Sequence, residues 1–416
     1  MFLLYALGAI NLAVALYSLW GSLRYARYAR RATPGREGPY GPRVALIVPC
    51  CGAEEGLEAN LAALAAQDYP ELRLLFIVED RNDPAVPVIE RVRAQVSRSS
   101  VLIIAGSART RGQKVHNLLA GVRQARGEEV LAFADSDGRP DRLWLARLVA
   151  VLNPSRPSRP SGPSRPGRIG VVTGYRFYLP EPASFASLLR SVWNAGVLTL
   201  LGDHDHNFAW GGSMALRRAT FEEAGVAGAW QGALSDDYAL THAVRRAGYR
   251  IEFVPGCLVG SRGKTDLGEL AAWCSRQMAI TRVYWPNLWL LAGGTQVLYT
   301  SFLLAASLVA AAGSGWAAAL VAVLLGLTIL TGALRARAVQ ALAPQWKEAI
   351  HPHSWAYALL SPLAAVLTVY GFTRSALSTR IEWRGKRYQM RSPTETVVLD
   401  QPPSPPQLDG GAELDL

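Results

Sequence analysis

Cysteine is scarce in this chain: four in 416 residues, with Cys50 and Cys51 adjacent and Cys257 and Cys274 standing apart. That number cannot build a disulfide framework, and no C-x-x-C spacing offers a structural metal site. A reduced, cytosol-facing catalytic part follows from the same scarcity. Charge is also thin. Charged residues make up 18% of the chain against 50% hydrophobic. Soluble domains typically carry about 25%, so a disordered chain and a simple cytosolic enzyme are both disfavoured. Acidic residues are outnumbered, leaving a formal net charge of +11. Such a balance suits an anionic partner. The arginines gather beside apolar runs and in a Pro-Ser segment, so lipid head groups explain them better than nucleic acid, and no nucleic-acid partner is expected.

Long apolar runs lie near both ends. Residues 2–20 are almost wholly apolar and are followed at once by Arg24, Arg27, Arg30 and Arg31. At about 1.5 Å per residue the run can span a hydrocarbon core. The cationic cluster follows the run rather than preceding it, which favours an anchor (1–22) over a signal peptide. Positive residues stay on the cytoplasmic side, so a multi-pass inner-membrane protein with a cytoplasmic catalytic domain is expected. Residues 295–313 and 316–334 read as two further spans, and 354–372 as a third candidate weakened by Pro362. Three such spans would place Arg374, Arg380, Arg384, Lys386 and Arg387 outside, against the positive-inside bias. One segment is therefore expected to be re-entrant or interfacial. The stretch 269–292, with Trp273, Trp285 and Trp289, reads as an interfacial helix ahead of a membrane region at 293–373. Residues 374–416 read as a basic and then acidic tail.

Between them, residues 43–268 alternate short apolar runs with helical patterns, which predicts a mostly parallel α/β sheet. Strands are expected at 43–49, 72–80, 100–105 and 130–137, and helices at 55–67, 85–96 and 114–125. Residues 153–168, rich in Pro, Ser, Gly and Arg, cannot form a core and read as a flexible loop.

Acidic residues sit at the C-terminal ends of two strands, the edge where open α/β sheets bind ligands. Asp135 and Asp137, one residue apart, can hold a hard divalent cation that bridges a diphosphate. They can equally form a strand-to-helix turn with an Asp cap. Glu79, Asp80 and Asp83 can accept hydrogen bonds from a base or ribose, or form an Asx-type turn before Pro84. Lys114 opens a helix and either meets a phosphate or caps a solvated face. Gly211 and Gly212 let the backbone approach a ligand closely. Asp236 and Asp237 precede an amphipathic helix, as an ordinary cap or as a carboxylate base at the mouth of a site. His204 and His206 resemble a metal pair but read better as an exposed loop. Arg276 and Arg282 can contact a diphosphate.

Taken in order, these pieces resemble glycosyltransferase family 2 and its relative, the ceramide glucosyltransferase family. The resemblance covers about residues 43–290 plus "IEWRGKRY" at 381–388. It is carried by Pro49, "GLE" at 56–58, "QDYP" at 67–70, "VEDRNDPA" at 78–85, the DxD at 135–137, "GGSMALRR" at 211–218 and "SDDY" at 235–238. It implies a GT-A (Rossmann-like) fold with transmembrane helices, a nucleotide-sugar donor and inversion at the anomeric carbon. By the same resemblance Asp80 or Asp83 contacts the nucleotide, Asp135 and Asp137 hold a Mg²⁺ or Mn²⁺ at the diphosphate, and Asp237 is the base. Lys114, Arg276 and Arg282 are then donor-side, and Gly211, Gly212 and Asp236 acceptor-side. The acidic pair is Asp-Asp where ceramide glucosyltransferases usually have Glu-Asp. The family's (Q/R)xxRW motif keeps Arg276 but has Ala279 and Ile280 for its Arg-Trp pair, which counts against polymer synthesis. The expected activity is transfer of one sugar, UDP-glucose being the leading donor, to a membrane lipid such as ceramide. A polysaccharide synthase and a degenerate nucleotide-sugar-binding protein are the alternatives.

Overall fold

The computed structural model describes residues 2–32, 40–155 and 168–400. Most of the expected 153–168 loop and the acidic end at 401–416 lie outside the described residues. A single helix α1 (Phe2–Arg31) opens the chain. It is longer than the anchor expected at 1–22, because no Gly-Pro break interrupts the sequence before Pro34. Its basic end is tied to the rest of the protein: Tyr25 donates its hydroxyl proton to the Leu198 carbonyl at 3.1 Å.

The central domain alternates as its periodicity predicts. It runs β1 (Val44–Pro49), α2 (Leu57–Ala65), β2 (Leu72–Val78), α3 (Ala85–Ala94), β3 (Ser100–Ile104), α4 (Gln113–Gln124), β4 (Val130–Ala134) and α5 (Trp144–Val151). It continues with β5 (Ile169–Tyr178), α6 (Phe185–Leu198), β6 (Ser213–Arg217), short helices α7 (Arg218–Glu223) and α8 (Val226–Ala229), α9 (Asp236–Arg246) and β7 (Arg250–Ser261). The sheet order is β3-β2-β1-β4-β6-β5-β7. The first four strands pair in parallel, while β6 runs antiparallel to both β4 and β5. β1, β2 and β4 are buried almost end to end, as strands covered on both faces must be. One face packs on Leu118, Trp230 and Leu240, the other on Leu61, Ile89 and Leu148.

Helix α10 (Leu267–Tyr284) starts at a capping box, Asp266 accepting from the Glu269 amide and Glu269 from the Asp266 amide. It ends before Pro286, which opens α11 (Pro286–Ala311). The break expected near residue 292 therefore falls at Pro286, where the ring fits the first turn of a new helix. After the tight turn at 312–314, α12 (Gly315–Leu342) returns antiparallel. Then come α13 (Lys347–Ile350), α14 (Ser354–Leu359) and α15 (Ser361–Leu377). Among the described residues α1, α11 and α12 are long and apolar enough to cross a membrane, and the 344–377 pair is bent by 73°.

The bent pair packs on the α/β domain. Trp346 stacks on Phe177 of the central sheet at 5.9 Å. In α15, Thr368 accepts a hydrogen bond from Trp193 of α6 at 3.0 Å. Both halves thus pack on the central domain. The basic segment after α15 is not a loose tail. It folds as an antiparallel sheet of β8 (Arg380–Trp383), β9 (Lys386–Ser392) and β10 (Glu395–Val398), and Tyr388 accepts a hydrogen bond from the Gln113 amide of α4 at 3.3 Å. The β8–β10 sheet therefore lies beside the central domain, and the bent 344–377 pair packs on that domain as well.

Single cysteines introduced in a Cys51→Ser background test this. Thr394→Cys should label from the same membrane face as Glu90→Cys, and Ala312→Cys in the α11–α12 turn from the opposite face. Labelling of Thr394→Cys together with Ala312→Cys would reject the arrangement.

Candidate active site

The loops that follow β1, β2 and β4 open on one edge of the sheet, where the strand order turns on either side of β1. Such a switch point is where open α/β sheets take their ligands. Asp135 and Asp137 follow β4 there. They do not cap α5, which starts at Trp144 after Leu143, so the capping alternative for this pair does not hold. Asp135 instead sits between two cations, Lys114 Nζ at 2.8 Å from Oδ1 and an Arg176 Nη at 2.8 Å from Oδ2. The same Arg176 nitrogen lies 2.5 Å from Asp137 Oδ1. Burial acts to raise the Asp135 pKa, but Lys114 and Arg176 outweigh it and hold the carboxyl below its ordinary value. Asp137 goes the other way. Burial and the neighbouring Asp135 exceed the help from Arg176, and its pKa is raised.

Lys114 does not cap a solvated face. Its ammonium also meets Asp236 Oδ1 at 3.2 Å, so it ties α4, β4 and α9 together. Asp236 is 2% exposed, and its Oδ2 has no hydrogen-bond partner. Burial, only partly offset by Lys114, pushes its pKa up to about 6. Asp237 is less buried. Its Oδ1 accepts from the Ser235 hydroxyl and, at 2.7 Å, from the Tyr238 amide. Ser235 holds the N-cap position without making a side-chain cap bond, and Asp236 and Asp237 occupy the first turn of α9.

Gly211 and Gly212 lie against these carboxylates. A Cβ on Gly211 would stand 1.9 Å from Asp236 Oδ2, and one on Gly212 2.5 Å from Asp135 Oδ2. Only glycine fits at either place.

The loop after β2 is braced from within. Asp83 Oδ1 accepts from the Ala85 amide at 2.8 Å and from Gly52 N, after β1, at 2.8 Å. Asp80 accepts from the Asn82 amide at 2.7 Å. Both make the Asx-type turn that is one of their two expected roles, at the ligand-binding edge.

The two α10 arginines separate. Arg276 lies 5.8 Å from the Trp383 ring, its pKa lowered by burial, with Tyr178, Arg176 and Asp137 nearby. Arg282, expected at a diphosphate, turns away. It donates to the Ser375 and Ala376 carbonyls at the end of α15 and stacks on Trp289 at 5.5 Å, a C-terminal capping role. The structure does not bring it to the carboxylates. Ile280, in the place of the family's tryptophan, is buried in the core. His204 accepts from the His206 amide at 3.2 Å in the 202–208 loop. Among the described residues no group of three or more His, Cys, Asp or Glu is placed to hold a metal ion.

Arg176 was not signalled by any motif. It lies in an apolar-aromatic run, "GYRFY" at 174–178, where a lone charge in a buried strand is the only clue. It starts a line of contacts that leaves the site: Arg176 donates to the Tyr178 hydroxyl at 2.9 Å, Trp273 of α10 donates to the same hydroxyl at 3.2 Å, and Trp273 meets Trp193 edge-on at 4.9 Å. Arg384 and Lys386 belong to the basic tail and its motif, where the sequence gives them no site role, yet both reach this edge. Arg384 pairs with Glu54 and lies 3.6 Å from Asp137 Oδ2, and Lys386 pairs with Glu79 at 2.6 Å.

The family model for glycosyl transferase family 21 matches residues 2–159 and 181–396. Among solved structures, the chain is similar to a mannosyltransferase from Pyrobaculum calidifontis in complex with GDP-Man and Mn²⁺, at 18% identity and a TM-score of 0.51, over 87% of this chain and 98% of that one. It also matches S. aureus TarS 1–349 in complex with UDP-GlcNAc, at 14% identity and a TM-score of 0.37, over 86% of this chain and 99% of that one. A glucosyl-3-phosphoglycerate synthase from Mycobacterium tuberculosis with Mn²⁺ and UDP-glucose matches at 17% identity and a TM-score of 0.35, over 58% and 78% of the two chains. The fold is that of GT-A glycosyltransferases.

Asp236 gives a pH signature. Its pKa is about 6 folded against a model-peptide 3.8, so between these values the folded state binds more protons and stability falls as pH rises. The melting temperature of the wild type relative to Asp236→Asn should fall from pH 4 to pH 6. A difference that stays flat or rises would reject the assignment.

Proposed function

We propose, on the premise that this chain belongs to glycosyl transferase family 21 and is a glycosyltransferase, that it moves a single sugar from a nucleotide-sugar donor to the hydroxyl of a membrane lipid, with inversion. UDP-glucose and ceramide are the leading pair. The observation that carries this reading is the unbroken contact line from Asp137 through Arg176, Tyr178, Trp273 and Trp193 to Thr368 of α15. It runs from the carboxylate edge to the helices packed beside the apolar spans, so a lipid acceptor and a soluble donor can meet there. The positive-inside pattern supports a cytoplasmic catalytic domain on the inner membrane.

Asp80 and Asp83 would face the nucleotide, and Lys114 and Arg276 the diphosphate. Asp135 and Asp137 would hold the divalent cation. The donor set fits: a carboxylate with a raised pKa, partly open, gains from a nearby cation, and Mg²⁺-type sites commonly use one or two carboxylates and complete their shell with phosphate and water. When bound, the cation supplies charge stabilisation to the departing diphosphate. Asp237 takes the proton from the lipid hydroxyl, whose oxygen attacks the anomeric carbon opposite the diphosphate. The new C–O bond forms as the bond to the diphosphate breaks. Asp236, buried and held by Lys114, is less free to reach an acceptor. It holds Lys114 in place and lies on the acceptor side beside Gly211 and Gly212. Ile280 leaves no tryptophan at the family's acceptor-stacking position, which supports single transfer over polymerisation.

The detergent-solubilised protein should transfer one hexose from a UDP- or GDP-sugar to a component of a lipid extract, read by mass spectrometry. A ladder of additions would replace this reading with polymer synthesis. Asp237→Asn keeps the side chain's acceptor oxygen and should cut turnover by about 10²-fold or more while donor binding survives. Normal turnover would remove Asp237 as the base. Asp137→Ala should weaken donor binding in Mn²⁺ or Mg²⁺, and an unchanged cation dependence would reject the metal role.

A further inference from the structure

The β8–β10 sheet has no place in the mechanism above. β8 and β9 pair with Trp383 opposite Lys386, leaving Arg384 and Gly385 as a two-residue turn. Both have positive φ, 54° and 72°, as a type I′ hairpin turn requires at its two central positions. Asn, Asp and Gly favour the first of these. Arg384 is the one non-glycine residue with positive φ among the described residues. A residue held in that region against its preference points to a role for its side chain.

Its contacts give that role. The guanidinium pairs with Glu54, in the loop after β1, and approaches Asp137, after β4. Two residues on, Lys386 pairs with Glu79 at the end of β2. These are three adjacent strands, so the hairpin tip lies across their C-terminal edge at the switch point. The sheet is seated firmly: a Cβ on Gly232 would fall 1.8 Å from the Thr394 carbonyl oxygen. The edge carries Glu54, Glu79, Asp80, Asp83, Asp135 and Asp137. A nucleoside diphosphate brought there meets like charge and needs cations beyond Lys114 and Arg276. Arg384 and Lys386 come to this edge from about 300 residues along the chain from their partners.

We propose that the β8–β9 hairpin is part of the donor site, with Arg384 and Lys386 ligands of the donor's diphosphate. The inference rests on the nucleotide-sugar reading above. Arginine suits the task, because its planar fork matches phosphate oxygens two at a time. Glu54 and Glu79 hold these side chains in place.

The turn supplies a clean test. Arg384→Asn creates Asn-Gly, the dipeptide a type I′ turn prefers, so the hairpin keeps its geometry while the guanidinium is lost. Binding of UDP-glucose and GDP-mannose with Mn²⁺ is measured by calorimetry on the full-length protein in detergent, beside its donor-free melting temperature. For whichever donor the wild type binds, Arg384→Asn should weaken affinity about tenfold or more with no fall in melting temperature. Arg384→Lys should recover part of the loss, and Lys386→Met should weaken binding as well. Wild-type donor affinity in Arg384→Asn would overturn the proposal. So would a loss of affinity seen only with a fall in melting temperature and not relieved in Arg384→Lys. A wild type that binds neither donor refutes the nucleotide-sugar reading itself, which the variants are not needed to see.

Discussion

Asp135 is an anion set between Lys114 and Arg176, and the geometry of the site depends on that pairing. Taking a carboxylate out of water costs several kcal/mol unless it is matched by cations at hydrogen-bond distance, and removing one partner of a buried pair costs about 3–5 kcal/mol. Here each cation is shared. Lys114 bridges Asp135 and Asp236, and Arg176 bridges Asp135 and Asp137. β4, α4, β5 and α9 are thereby fixed to one another by charge, where the apolar core alone leaves their polar tips free to shift. Gly211 and Gly212 permit the arrangement, since any side chain there would drive Asp236 or Asp135 off its cation.

The same constraint joins the site to the helices packed beside the long apolar ones. Arg176 carries contacts outward through Tyr178 and Trp273 to Trp193 and α15. Arg282, stacked on Trp289, closes the end of α15. The bent 344–377 segment is held on the α/β domain by Trp346 on Phe177, and the small β8–β10 sheet lies beside the carboxylates.

Much of this was legible in the sequence. Buried strands such as residues 44–48 and 130–134 are continuous apolar runs, and period and turn residues locate them without reference to the rest of the chain. Asp135 and Asp137 could be placed at a strand's end for the same reason. The sequence also showed that a third apolar segment conflicted with the basic residues after it. It could not say that this segment packs on the α/β domain, because Pro362 at the start of a helix looks the same whether the helix spans or lies against a domain. Arg276 and Arg282 illustrate the limit most directly. They share a helix and a chemistry, yet one faces Trp383 near the site and the other caps α15.

The sequence by itself determined the alternating α/β domain, the apolar helices at either end, and the carboxylates and glycines that crowd one sheet edge. These depend on local periodicity and on residue chemistry, which short stretches of chain carry intact. Only the tertiary structure decided that Lys114 and Arg176 neutralise Asp135, that Asp236 and not Asp237 is the buried member of its pair, and that Arg384 and Lys386 return from about 300 residues away to the same edge. The physical reason is that a charge is matched by whatever cation the fold brings within hydrogen-bond reach, and distance along the chain sets no limit on that.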